Sequence, residues 1–128
     1  VGTPREVYYS PQSEFVTNFI GDTNRLSEEI IQEINRQNPG ADLNPKDHIY
    51  VRVENVKEAS ERTPGEKYYR IPAVFDMEEF YGITTRKTFL SGRSEIKSMS
   101  LKNDEKLERG VQMDLFVNPS DFIIFKEQ

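Results

Sequence analysis

Residues 48–53 read His-Ile-Tyr-Val-Arg-Val, and at this point the apolar pattern of the chain changes to a period of two. Ile49, Val51 and Val53 alternate with Tyr50, Arg52 and Glu54. A pleated strand sends successive side chains to opposite faces, so this is the pattern of a half-buried strand. The alternation returns at Ile71, Ala73, Phe75 and Met77, and again at Val111, Met113, Leu115 and Val117. Residues 84–90 and 94–101 read as two strands joined at Ser91-Gly92, and Phe122 to Phe125 as a short last one. The spacers are polar: residues 57–67 with Thr63-Pro64-Gly65, Gly82, residues 103–110, and Asn118-Pro119-Ser120-Asp121. Five or six short strands with polar turns predict a small β-barrel or sandwich.

Upstream the period is helical. Thr3-Pro4 with Glu6, and Ser10-Pro11, are helix-entry signals. Phe15, Val16, Phe19 and Ile20 then fall on one helical face, closed by Gly21. Residues 25–40 predict a further helix, with Ser27 as its cap, Glu28 and Glu29 in the first turn and Asn38-Pro39-Gly40 as its stop; a strand over 28–35 is the weaker alternative. The expected fold class is mainly β, with two or three short helices towards the N-terminus. The chain opens on Val1, directly at a helix-entry signal, and is expected to be a piece of something longer.

Composition narrows the function. The 128 residues carry a net charge of −5 and 30% charged side chains, with a mean hydropathy of −0.72. One core fits this length. The acidic balance argues against a general nucleic-acid binder, which needs clustered Lys and Arg. No apolar run reaches the roughly 18 residues of a spanning helix. There is no cysteine and a single histidine, His48, so no histidine-based triad, cysteine nucleophile or Cys/His zinc site can be assembled. His48 is expected to be structural. The carboxylate pairs Glu78/Glu79, Asp104/Glu105 and Glu58/Glu61 read as solvated surface charge rather than acid–base machinery. Glycines occur singly, so no phosphate-binding loop is present in these residues and no catalytic, cofactor or metal site is expected. The most basic stretch is Thr84 to Thr88, with Arg93 and Lys97 beyond it. Its plain reading is a charged strand that discourages edge pairing; its functional reading is an anion or effector contact through Arg86, Lys87 and Arg93.

The most specific signal lies at the start. Gly2-Thr3-Pro4-Arg5-Glu6-Val7-Tyr8, Pro11, Phe15-Val16 and Phe19-Ile20-Gly21 keep every spacing of G-T-P-x-E-[IV]-Y-x-x-P-x-x-x-F-V-x-x-F-I-G. That segment closes the nucleotide-binding domain of ABC import ATPases, and the chain resembles that family. Arg52-Val53-Glu54 is similar to the family's R-P-E strand, with Val53 in place of Pro. Gly110 to Asp121 resembles the closing strand pair of its regulatory module, the OB-like domain called TOBE. The resemblance implies that residues 1–24 are the tail of a nucleotide-binding domain and residues 25–128 a TOBE-like regulatory domain, with 25–47 atypical and helical.

The same resemblance implies a function and its partners. The fragment would be no enzyme itself, while its parent would hydrolyse ATP with Mg. It would serve as a regulatory and dimerisation domain of an importer at the cytoplasmic face of the membrane, with effector sensing as a further role. Its partners would be its own nucleotide-binding domain (met through Phe15, Val16, Phe19 and Ile20), a second copy and the permease, with no nucleic acid. The Phe-Ile-Gly-Asp-Thr-Asn junction leans towards the polyamine and ferric-ion importers. The alternative is a free-standing OB-like module for a small anion or nucleic acid.

Overall fold

The computed structural model describes residues 23–101 and 107–126. The N-terminal helix pair, its apolar quartet and the Asp104/Glu105 pair lie outside the described residues.

Among the described residues, eight strands and one α-helix follow in chain order: β1 (Thr23–Leu26), α1 (Glu28–Gln37), β2 (His48–Arg52), β3 (Val56–Lys57), β4 (Tyr69–Tyr81), β5 (Thr84–Ser91), β6 (Ser94–Leu101), β7 (Gln112–Val117) and β8 (Ile123–Phe125). The mainly β class with a barrel-like sheet agrees with the sequence. The strand count exceeds the expected five or six because β1 and β3 are too short to show an alternation. Five strands, ordered β3-β7-β4-β5-β6, curl until the edge strands β3 and β6 lie against one another. The other three form an antiparallel sheet, β1-β2-β8. β2 runs through a one-turn 3₁₀ segment, Val53–Asn55, into β3, so one stretch of chain joins both sheets.

The expected helix is present but shorter. Ser27 caps it, its hydroxyl accepting the Ile30 N–H at 3.2 Å, with Glu28 and Glu29 in the first turn and Arg36 in the last. The strand alternative for 28–35 is excluded. Within the expected helical stretch 25–47, however, only 28–37 is α-helical: Arg25 and Leu26 belong to β1, and the chain after Asn38 is irregular. β1 also takes in Thr23 and Asn24. Four residues preceding a capped helix carry too little pattern to announce a strand. Pairing with β2, from Thr23 opposite Arg52 to Leu26 opposite Ile49, makes them one.

Ile30, Ile31 and Ile34 on α1 enter the same core as Ile49, Val51, Ile71, Phe75, Phe89, Ile96, Leu115 and Val117. Each fully buried aliphatic contributes about 1.5–3 kcal/mol. In β4 the buried Tyr69, Ile71, Ala73 and Phe75 alternate with half-exposed Arg70, Pro72, Val74 and Asp76. The register then slips between Phe75 and Met77, a bulge at Asp76. Gly82 is the turn residue between β4 and β5, with φ +71°, and not the bulge. Beyond the slip, β4 and β5 continue as a hairpin whose tip carries several exposed apolar side chains.

Candidate functional site

The basic stretch does not form one site. In β5, Thr85, Lys87 and Phe89 point inward and are buried, while Thr84, Arg86 and Thr88 point outward. Arg86 and Lys87 therefore occupy opposite faces of the sheet. Arg93 sits past the far end of the strand, roughly 20 Å from Arg86 at the rise of an extended chain. Lys87 is corrected from an effector contact to an interior residue. Its side chain is 1% exposed, and its Nζ donates to Glu58 Oε2 at 2.6 Å.

Glu58, expected as solvated charge, is corrected with it: its side chain is 7% exposed. Glu58 caps a one-turn 3₁₀ segment, Ala59–Glu61, in a reciprocal arrangement. Its carboxylate accepts from the Glu61 backbone, and Glu61 Oε1 accepts the Glu58 N–H at 2.8 Å. The carboxylate is thus held facing Lys87. Paired charges of this kind survive burial because each provides the other's counter-charge and hydrogen bond. Ser98 lies opposite Lys87 in the register and is buried as well. The Thr85 hydroxyl, two residues earlier on this inner face, has no hydrogen-bond partner. His48 stands half-buried in β2 opposite Phe125, and Glu78 and Glu79 lie on opposite faces of the hairpin.

One concavity among the described residues was not anticipated from sequence. It is a groove of about 460 Å³ over the outer face of β4, β5 and β7, lined by Arg70, Pro72, Val74, Leu90, Gln112 and Asp114 among others. Its origin is local. Ladder pairing between β4 and β5 starts only at Val74 opposite Leu90, so Pro72 faces β5 at a level where no backbone donor is needed. The Ser91 hydroxyl donates to the Pro72 carbonyl at 2.7 Å and closes the gap with a side chain. A smaller hollow of about 240 Å³ continues it past Pro72, Ser91 and Gly92 to Glu29 and Glu33 on α1. Gly92, at φ +60°, leaves room there: a Cβ would overlap the Glu29 carboxylate.

The charges of this groove are mostly matched. Arg70 donates to Asp114 Oδ1 at 2.7 Å and to Gln37 Oε1 at 3.1 Å. Glu33 accepts from Arg36 and Gln37, which hold its carboxyl at about 2, well below the usual range. Glu29 accepts the Arg93 N–H at 3.4 Å. Three carboxylates against Arg70 and Arg36 leave the groove net negative. Such a site receives a cation or a polar chain more readily than an oxyanion, and nothing in it is arranged as a nucleophile with a base. No described helix is long and apolar enough to cross a membrane.

No family model matches the chain. Individual relatives do. It is 30% identical over 127 residues to the spermidine/putrescine import ATP-binding protein PotA of Escherichia coli K12, covering 94% of this chain and 32% of that protein. PotA of Salmonella typhimurium LT2 is 39% identical over a shorter stretch of 51 residues, 39% of this chain and 14% of that protein. The chain therefore spans about a third of the length of the curated relatives it matches along nearly all its residues. Among solved structures, the cytoplasmic molybdate-binding protein ModG superposes with a TM-score of 0.51 at 16% identity, covering 62% of this chain and 60% of that one. At that identity the likeness is one of fold. Homology to importer ATP-binding proteins along nearly the whole chain, together with a ModG-like barrel fold, supports a TOBE-like domain related to part of those proteins.

Proposed function

We propose that this chain is the regulatory domain of the ATP-hydrolysing subunit of an ABC importer. In this reading it holds two subunits together at the cytoplasmic face of the membrane, beneath the permease, and senses the solute being carried. The observation that carries the reading is the match to PotA over 94% of the chain, in residues that contain no phosphate-binding loop of their own. The domain then contributes association and ligand sensing, while ATP and Mg belong to the preceding domain.

The effector site in this proposal is the groove between α1, β4 and the β5–β6 turn. Its net negative charge beside the apolar Pro72, Val74 and Leu90 suits a flexible cation with a methylene stem, the chemistry of spermidine and putrescine. An oxyanion finds less here, because Arg70 is already engaged by Asp114 and Gln37. The anion contact expected at Arg86, Lys87 and Arg93 is not carried forward, since Lys87 is interior.

A chimera tests this. The chain is substituted for the matching region of E. coli PotA, and ATP hydrolysis and polyamine uptake are measured. The chimera is expected to hydrolyse ATP and support uptake, with hydrolysis responding to spermidine and not to molybdate. Asp114→Asn should weaken that response. A chimera that hydrolyses ATP but no longer drives uptake would overturn the regulatory reading. A response to molybdate alone would overturn the choice of ligand.

A further inference from the structure

The hairpin that β4 and β5 form beyond the bulge ends in large apolar side chains held in solvent. Phe80 is 63% exposed, Tyr81 54% and Ile83 76%. Leu101 of β6, which completes a cross-strand row with Thr84 and Tyr81, is 73% exposed. A monomer rarely leaves such side chains together without a partner. Glu78 and Glu79 stand just behind the tip and disfavour nucleic acid or an anionic lipid surface as that partner.

The path of the chain selects the occupant. The Asn24 side chain accepts the Lys97 N–H at 2.8 Å and donates to the Lys97 carbonyl at 2.7 Å, and Glu29 Oε1 accepts the Arg93 N–H at 3.4 Å. The stretch from Asn24 to Glu29 therefore runs antiparallel to β6, and its backward extension points towards Leu101. Lys97 and Leu101 lie about 13 Å apart at the rise of a strand. Ile20 precedes Asn24 by four residues, a tether that spans about 13–14 Å when extended. Outside the described residues, positions 15, 16, 19 and 20 are Phe, Val, Phe and Ile, the quartet whose spacing reads as one apolar face. An apolar face is thus tethered within reach of an uncovered apolar tip, and a short tether removes much of the entropy cost of a free encounter. A second copy or a separate protein lacks that advantage. We infer that Phe15, Val16, Phe19 and Ile20 dock on the hairpin tip of their own chain, against Phe80, Tyr81, Ile83 and Leu101. The family resemblance assigns this quartet to the preceding nucleotide-binding domain, whereas the chain path gives it to the domain that follows. The inference rests on that path and not on the regulatory reading.

The test uses the full chain, which has no cysteine, so a nitroxide label goes to a single introduced one. Glu79→Cys places it beside the tip, and Glu95→Cys places it near the far end of β6, about 20 Å from Leu101. Paramagnetic broadening of the amide signals of residues 15–20 is read by NMR. It should be at least about fivefold stronger from position 79 than from position 95, given that separation. Adding Phe15→Ser and Phe19→Ser to the position-79 chain should remove the excess. The amide spectrum of residues 23–101 checks that each variant keeps the barrel. In a mixture where nitroxide and isotope label sit on different copies, the broadening should vanish, because the contact is made within one chain. Broadening that persists in the mixture would give the tip to a second copy and overturn the inference. Equal or absent broadening from the two positions would overturn it too, and leave the quartet to the preceding domain.

Discussion

Arg86 and Lys87 are neighbours in one strand and end in opposite worlds. Lys87 is sealed inside the barrel against Glu58, which is itself fixed by its own 3₁₀ cap. Arg86 lies on the outer face of the hairpin, beside the Tyr81 ring and opposite Glu79 in the register. The same charge type therefore serves two physical purposes one residue apart. Inside, a charge is tolerable only with a fixed partner, and the pair pins the 57–68 loop segment to the barrel wall. Outside, water screens a charge, so its interactions add little to folding.

Truncation is the sharpest way to break this comparison. Lys87→Ala leaves Glu58 buried without its counter-charge and should cost about 3–5 kcal/mol of unfolding free energy. Arg86→Ala, one residue away, should cost under about 1 kcal/mol. Equilibrium urea unfolding measures both, and equal losses would show that the inner pair is hydrated. A Lys87→Met, Glu58→Leu double variant should recover much of the single-variant loss, because two apolar side chains remove both charges together.

A smaller effect probes how dry the inner face is. Thr85 carries a buried hydroxyl with no hydrogen-bond partner. Thr85→Val keeps the shape and removes the orphan group, so stability should rise by up to about 1 kcal/mol. A loss of that size would mean that the hydroxyl is satisfied in solution.

The smallest effect concerns an exposed pair, the helical counterpart of the outer hairpin face. Hydrogen bonds from Arg36 and then Gln37 lower the Glu33 pKa from 4.5 to about 2. A depressed carboxyl favours the folded state above its unfolded pKa, and that contribution disappears as pH falls through the folded value. The stabilisation should therefore be complete above about 4.5 and lost towards about 2. A carboxylate-resolved NMR titration of Glu33 reads the midpoint directly, and a midpoint near 4.5 would show that the pairing does not persist in solution.

Much of the fold was legible because period-two alternation and turn residues are local signals. β2, β5, β6, β7 and the Ser91-Gly92 turn lie where the pattern put them, and so does the Ser27 cap of α1. β1 and β3 were not legible: four and two residues have no period, and pairing alone makes them strands. The candidate site was less legible still. Glu58 sits in a polar loop by sequence, and nothing local says that its cap turns the carboxylate inward. Parity did offer one clue. Lys87 shares its strand face with Thr85 and Phe89, so a buried Phe89 implies an inward Lys87. The groove gave no such clue, because it needs Pro72, Ser91 and α1 together.

The amino-acid sequence by itself determined the class of the protein: a small, acidic, mainly β domain without cysteine or a phosphate-binding loop, whose motifs resemble importer ATPases. Periodicity, turn chemistry and motif spacing are all written within a few residues of each other, and therefore survive in one dimension. Tertiary structure alone decided which charges are buried and where the groove opens. Those depend on residues well separated along the chain, such as Pro72 with Ser91, Glu58 with Lys87 and Asn24 with Lys97, brought together only when the sheet forms and curls.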